Sequence, residues 1–251
     1  MSIILTMFLL GSLLGFVGAG GAGFIIAVLI LLFHVPIHTA LGTSLAAMTF
    51  TTISGAVSHY REGNTDVKVG TIVGIFGAGG AFIGSKIAAA IPTDSLHWFT
   101  AVMLFLSAVL LVIRLFLVKN TKETDTKETE LRSVPFLIKA VSAGTICGLL
   151  SGSFGIGSTP FIQIGLLMLL GLSLRKSIGT TMLVIIPIAV GGGIGYHSEG
   201  YLDYMLLVQI LIGTMSGAYI GAKFTNFAPK LLLKFAMIAT PALAAIIMFF
   251  V

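Results

Sequence analysis

Two glycine-rich stretches are the places in this sequence where the backbone itself could bind a ligand. "GFVGAGGAGFIIA" spans residues 15–27 and "GLLSGSFGIGSTPFI" spans residues 148–162, each within an apolar region. Glycine lets a ligand approach the backbone closely, and the free N–H groups that begin a helix carry partial positive charge. We therefore expect an anion-binding cradle, although small residues also favour close helix packing in membranes. The predicted cradle residues are Gly20, Gly21, Gly23, Gly155, Gly157 and Ser158.

Pairs of hydroxyl side chains follow each glycine stretch. "GTSL" contains Thr43 and Ser44, and "GTTM" contains Thr180 and Thr181. Hydroxyl groups can donate hydrogen bonds to a bound oxyanion, or they can cap the start of a helix. We predict that these four residues help to bind the anion.

Four titratable residues are candidates for gating or for drawing ions along a pathway. His59 and His197 each stand close before a glutamate–glycine pair, and Lys86 and Lys223 occur in the similar stretches "GAFIGSK" and "GAYIGAK". For the histidines the ordinary alternative is interfacial capping. For the lysines it is a long side chain that reaches the membrane surface.

Metal and cofactor chemistry find no support in the residue pattern. The histidines have no cysteine or carboxylate at usual ligand spacing, and Cys147 is the only cysteine. The basic residues lie along loops without the interleaved aromatic residues of a nucleic-acid surface. We predict no metal, no cofactor and no nucleic-acid partner.

The elements that must position these residues are membrane helices. Hydrophobic residues make up 57% of the 251 positions and charged residues 9%, whereas soluble domains contain about 25% charged residues. Apolar runs of up to about 20 residues suit helices that cross a bilayer. The composition predicts an all-α, polytopic membrane protein.

The chain is an internal duplication. "LGTSL" at residues 41–45 aligns with "IGTTM" at residues 178–182, "EGNTD" at 62–66 aligns with "EGYLD", and the offset of 137 positions is nearly constant. Each half contains about five apolar segments, an odd number, so the second repeat should be inverted in the membrane. The first two segments of each half could form a broken or re-entrant pair. The boundaries predicted are 1–118 for the first repeat, 119–133 for a charged linker and 134–251 for the second repeat.

The basic residues predict the orientation. When the amino terminus is placed on one side of the membrane, thirteen of the 14 lysines and arginines fall near the other side, and only Lys86 does not. The positive-inside rule then places the linker in the cytoplasm and both termini outside. We expect a multi-pass protein of the cell (inner) membrane.

The glycine turns, "ALGTSL" and "GAFIGSK" together make the chain resemble the sulfite exporter TauE/SafE family of membrane anion transporters. The similarity covers roughly residues 5–250 without the linker. It departs in two places: the first turn lacks the proline usual after it, and the second reads "SFGIGSTP" instead of three adjacent glycines. A related thiosulfate-uptake branch relies on several cysteines, which this chain lacks.

The resemblance implies transport of a small sulfur-containing or organic oxyanion, such as sulfite or sulfoacetate, with export the expected direction. The two repeats would rock or gate around a central site within the lipid bilayer. A passive anion channel is the main alternative. A membrane-embedded enzyme is a weaker one, because no histidine stands beside Cys147 to activate it. The sequence predicts no oligomeric state.

Overall fold

The chain folds into helices throughout the part that the structure describes. The computed structural model describes residues 3–17, 22–113, 116, 134–155 and 159–250, apart from the side chains of Ala22 and Lys230. Ten helices follow one another in these residues: α1 (Ile3–Val17), α2 (Ala22–Phe33), α3 (Ile37–Arg61), α4 (Val67–Ala89), α5 (Thr93–Val112), α6 (Val134–Phe154), α7 (Thr159–Met168), α8 (Leu174–Ser198), α9 (Tyr204–Phe224) and α10 (Lys230–Phe250).

Seven of the described helices, α3 to α6 and α8 to α10, are long and apolar enough to cross a membrane. Their lipid-facing positions carry large apolar side chains such as Phe105, Ile194 and Phe235, all more than half exposed. This confirms the prediction of an all-α, polytopic membrane protein.

The remaining three helices are short. They flank the two interruptions of the helical chain, one between α1 and α2 and one between α6 and α7. The helix α1 has 15 residues, α2 has 12 and α7 has 10, so α7 is roughly 15 Å long and covers half of a bilayer. After α6 the chain turns at Gly155, whose φ of 61° is left-handed. A side chain there would strike Leu41 of α3. The predicted cradle residues Gly20, Gly21, Gly157 and Ser158, like the linker 119–133, lie outside the described residues.

The third helices of the two repeats show that the repeats are inverted. The equivalent helices α3 and α8 pack against each other in opposite directions. The contacts that establish this run from one end to the other as Gly55 on Met182, Leu45 on Gly192, and Gly42 on Tyr196. A duplication whose equivalent helices cross antiparallel has the inverted arrangement that the odd number of segments predicts.

Small residues let helices from different repeats approach closely. Gly11 and Gly15 of α1 lie against the backbone of α9, and 137 positions later Gly148 and Gly152 of α6 lie against the backbone of α4. A Cβ atom at any of these four positions would overlap backbone atoms of the neighbouring helix. Such glycines at a four-residue spacing are typical of tightly packed membrane helices.

The repeated glutamate–glycine signature ends one helix and prepares the next. Gly63 and Gly200 follow α3 and α8 with φ of 72° and 79°. A residue in this left-handed conformation commonly terminates an α-helix. Asp66 then caps α4 by accepting from the Val69 N–H at 3.1 Å, and Asp203 caps α9 in the same way. The signature therefore sets where the third helix of each repeat stops and the fourth begins.

Adjacent glycines on α4 provide a direct test of the close packing. A Cβ atom at Gly80 would lie 2.9 Å from the Leu149 backbone nitrogen of α6, whereas one at Gly79 meets nothing within 4 Å. We expect Gly80→Ala to lower the unfolding free energy by about 1–3 kcal/mol, the usual cost of overpacking. Gly79→Ala should be neutral or stabilise by up to about 1 kcal/mol. Thermal unfolding of both variants in detergent measures the difference, and equal melting temperatures would contradict the packing.

Candidate functional site

Residues beside both interruptions line one cavity. Its volume is about 30 Å³, and because one water needs roughly 10–15 Å³, it is the size of a few atoms. The start of α2 contributes Gly23, and the start of α7 contributes Thr159 and Pro160. The other lining residues are Val17, Phe24, Leu104, Gln163, Met237, Thr240, Pro241 and Ala244. The first turns of α2 and α7 thus lie at the same cavity.

The start of α7 is equipped to bind a negative group. Thr159 is 3% exposed, and its hydroxyl has no hydrogen-bond partner among the residues that the structure describes. Pro160 fixes a helical φ at the first turn, where N–H groups have no partner within the helix. Most of the cavity wall is apolar, but because Thr159 lines the cavity, its hydroxyl and its backbone N–H are donors close to it. An oxyanion is the ligand that suits them.

The glycine carbonyls that precede the interruptions are each bound by a buried side chain. His59 Nε2 donates to the Gly15 carbonyl at 3.1 Å, and the Tyr196 hydroxyl donates to the Gly152 carbonyl at 3.1 Å. Both donors are 0% exposed. Tyr196 lies 137 positions after His59, so the two are equivalent residues of the two repeats.

His197 is therefore not the structural counterpart of His59, although the sequence prediction paired them. It lies on the exposed surface at the end of α8, where its Nδ1 is 3.2 Å from the Tyr204 hydroxyl. The offset of 137 assigns Tyr196, one position earlier, to the place of His59. The apparent pairing arose because both histidines precede a glutamate–glycine pair.

Thr43 and Thr180 join the repeats at opposite ends of the bundle. Thr180 Oγ1 accepts from the Asp66 N–H at 2.9 Å, and Thr43 Oγ1 accepts from the Asp203 N–H at 3.2 Å. Both hydroxyls thus hold the start of a helix that belongs to the other repeat. Because α3 and α8 run antiparallel, the structure does not bring these two threonines together, and neither lines the cavity.

The other predicted binding residues occupy varied places. Gly23 lines the cavity, whereas Gly155 forms the turn against Leu41 and Ile26. Ser44 is buried with no hydrogen-bond partner within the described part of the chain, and Thr181 donates to the Ser177 carbonyl at 2.6 Å.

The two predicted pathway lysines lie at the ends of equivalent helices, near opposite faces. Lys86 donates to Glu199 at 2.5 Å and to the Ser198 hydroxyl at 2.6 Å, which links α4 to the end of α8. Lys223 lies over the Tyr219 ring, 4.7 Å from its centroid. Because the Lys86 pair is more than a third exposed, we expect it to add less than about 1 kcal/mol to stability.

Three polar residues of the cavity, Thr159, Gln163 and Thr240, were not among the predicted site residues, although Thr159 directly follows the predicted Ser158. Gln163 stands in the middle of the short apolar helix α7, and Thr240 precedes a proline in α10. An amide inside a half-length apolar helix is a usable signal, since polar groups at membrane depth are costly without a partner. For Thr240 the sequence holds no comparable signal, because Thr–Pro pairs also kink ordinary helices.

Metal binding has no candidate group in the residues that the structure describes, since no three His, Cys, Asp or Glu residues come together there. Cys147 is buried in α6 as a free thiol.

Comparison with known proteins points to one family. A family model described as sulfite exporter TauE/SafE matches residues 3–248. The probable membrane transporter protein YdhB of Bacillus subtilis (strain 168) is 60% identical over 250 residues, with 100% of each chain covered. YjnA of the same organism, also named a probable membrane transporter protein, is 28% identical over 91% of this chain and 92% of its own. No solved structure matches.

Two Tyr→Phe substitutions test whether the Gly152 carbonyl depends on its buried hydroxyl donor. Tyr196→Phe removes the hydroxyl that serves the buried carbonyl, which should lower the unfolding free energy by about 1–3 kcal/mol. Tyr204→Phe removes a hydroxyl from a side chain that is 61% exposed, so a change within about 0.5 kcal/mol is expected. Melting temperatures in detergent give both values. A Tyr196→Phe protein as stable as Tyr204→Phe would show that the carbonyl needs no donor.

Proposed function

Because the chain belongs to the sulfite exporter TauE/SafE family, we propose that this membrane transporter exports a small sulfur-containing or organic oxyanion across the cytoplasmic membrane. Sulfite and sulfoacetate are the substrates to test first. Both relatives, YdhB and YjnA, are named probable membrane transporter proteins. These names support transport as the activity, rather than catalysis of a chemical reaction.

The observation that carries the proposal is the cavity at the start of α2 and α7. Thr159, in the first turn of α7, has a buried hydroxyl there with no hydrogen-bond partner in the described part of the chain. An aligned helix carries roughly half a positive charge at its amino end, which favours an anion over a cation. Inverted-repeat transporters commonly place such broken helices around an anionic substrate group.

The energy of the bound charge also fits a site without a basic side chain. A bare charge at the centre of a bilayer costs several kcal/mol or more. A hydrogen bond to a charged group returns about 1.5–3 kcal/mol, so a few N–H and O–H donors offset most of that cost. In this proposal the glycine backbones at Gly20, Gly21, Gly23 and Gly157 and the hydroxyl of Ser158 complete the set of donors.

The pathway on either side of the site passes charged residues at the membrane faces. Lys86 and Lys223 end equivalent helices near opposite faces. The charge of Lys223 would raise the local concentration of anions, whereas that of Lys86 is largely balanced by Glu199. His59 lies inside the protein and fixes the end of α1, so we assign it to shaping the site rather than to ion conduction.

Flux measurements in proteoliposomes test the function. Sulfite, sulfoacetate, sulfate and small carboxylates should be supplied with and without a pH gradient. We expect saturable flux of at least one sulfur oxyanion and acceleration by the same anion on the opposite side, as a carrier requires. A flux that rises linearly with concentration and shows no such acceleration would identify a passive channel. No flux of any anion would overturn the proposal.

Thr159→Val tests the site. It removes the unpartnered hydroxyl, and the loss of one hydrogen bond to a charged ligand should raise KM by about tenfold or more. Thr100→Val is the matched control, because Thr100 is equally buried but its hydroxyl bonds the Leu96 carbonyl within α5, away from the cavity. If both variants keep the wild-type KM, the substrate does not contact Thr159.

Cysteine labelling tests the proposed orientation, with both termini outside and the linker in the cytoplasm. In a Cys147→Ser background, Thr126→Cys in the linker should react only with a membrane-permeant reagent. Ser95→Cys, exposed at the start of α5, should react with an impermeant reagent added to whole cells. The opposite labelling pattern would reverse the orientation.

A further inference from the structure

The carboxyl end of α1 is held by side chains from three other parts of the fold. The last four carbonyls of a helix have no partner within it. Three of those in α1 accept side-chain hydrogen bonds: Gly15 from His59 at 3.1 Å, Phe16 from the Thr225 hydroxyl at 2.9 Å, and Val17 from the Gln163 amide nitrogen at 3.2 Å. Side chains from elsewhere in the fold therefore satisfy three of the last four carbonyls of α1.

Only one of the three donors stands at the cavity. Gln163 and Val17 both line it, whereas His59 and Thr225 are not among the lining residues. Gln163 is 1% exposed and lies one turn after Thr159 on α7, and the Ser177 hydroxyl donates to its backbone carbonyl at 3.3 Å. The amide is thus fixed between the carboxyl end of α1 and the amino end of α7.

The two helix ends have opposite electrostatic effects on a bound charge. The amino end of α7 attracts an anion, while a carbonyl at the carboxyl end of α1 repels it, each end carrying roughly half a charge. A carbonyl oxygen that already accepts an N–H hydrogen bond presents much less negative potential to its surroundings. Without Gln163, the Val17 carbonyl would lose this donor and, among the described residues, would border the cavity as an unpaired acceptor, which suits a cation.

We propose that Gln163 is a specificity-determining residue that masks the Val17 carbonyl and so makes the cavity selective for anions. This inference rests on the proposed anion transport. In this proposal the first repeat contributes the carboxyl end of α1, whose Val17 carbonyl is masked, and the second repeat contributes the amino end of α7, which donates to the anion. Selectivity then arises from a contact between the repeats, made by one neutral side chain.

Gln163→Met is the first test, because methionine keeps the length of glutamine and removes the amide. The KM for the transported anion should rise about tenfold or more, with a smaller change in kcat. Thr225→Val is the matched control, since it removes a donor from the neighbouring Phe16 carbonyl without altering the cavity lining. It should lower the melting temperature and leave KM unchanged. Equal KM values for the two variants would overturn the proposal.

Gln163→Glu supplies a readout that a packing role would not change. A protonated glutamic acid can donate to the Val17 carbonyl as the amide does, whereas an ionised carboxylate cannot and repels the substrate. The ratio of variant to wild-type KM should therefore fall towards one as the pH is lowered. A ratio that is independent of pH would overturn the proposal, even if Gln163→Met fails to fold.

The outcomes separate this inference from the proposed function. A wild-type protein that carries no anion overturns both. A wild-type protein that carries an anion, with Gln163→Met at the same KM, overturns only the role of Gln163.

Discussion

The structure depends on one constraint: a backbone N–H or C=O group without a partner is costly at membrane depth. Two interrupted helices create several such groups, and neither lipid nor a regular helix can satisfy them. Side chains of His59, Thr225 and Gln163 donate to carbonyls at the end of α1, and the Tyr196 hydroxyl donates to one near the end of α6. Thr159 at the start of α7 lines the cavity, and its hydroxyl, which has no partner among the residues described, is available to a ligand.

The scaffold is nearly symmetric, but the site is not. The inverted halves repeat their glycine contacts, their aspartate caps and their threonine bonds at the same offset. The positions that line the cavity break this pattern, since Gln163 corresponds to Ile26 and Thr159 corresponds to Ala22. The duplication thus provides a stable frame, and sequence divergence within it concentrates the polar groups on one side of the cavity.

Much of the fold follows from the sequence, because apolar segments and the duplication determine helix number and inversion. The prediction of about five apolar segments in each half agrees with the ten described helices, five before the linker and five after it. The site was harder to predict, since a hydroxyl in a repeated motif looks the same whether it binds a ligand or a backbone group. Thr43 and Thr180 hold helix starts at opposite ends of the bundle. Gln163 acts through Val17, 146 positions away in the chain, a separation that no local pattern encodes.

The glycine contacts also restrict how the molecule can move. The first helix of each repeat is fitted to the fourth helix of the other, with no room for even a methyl group between Gly11 or Gly148 and the facing backbone. The two halves are therefore interleaved, and a movement of one half as a separate body would have to break these contacts. The wall of the cavity comes mainly from other helices, α2, α5, α7 and α10, which take no part in these contacts.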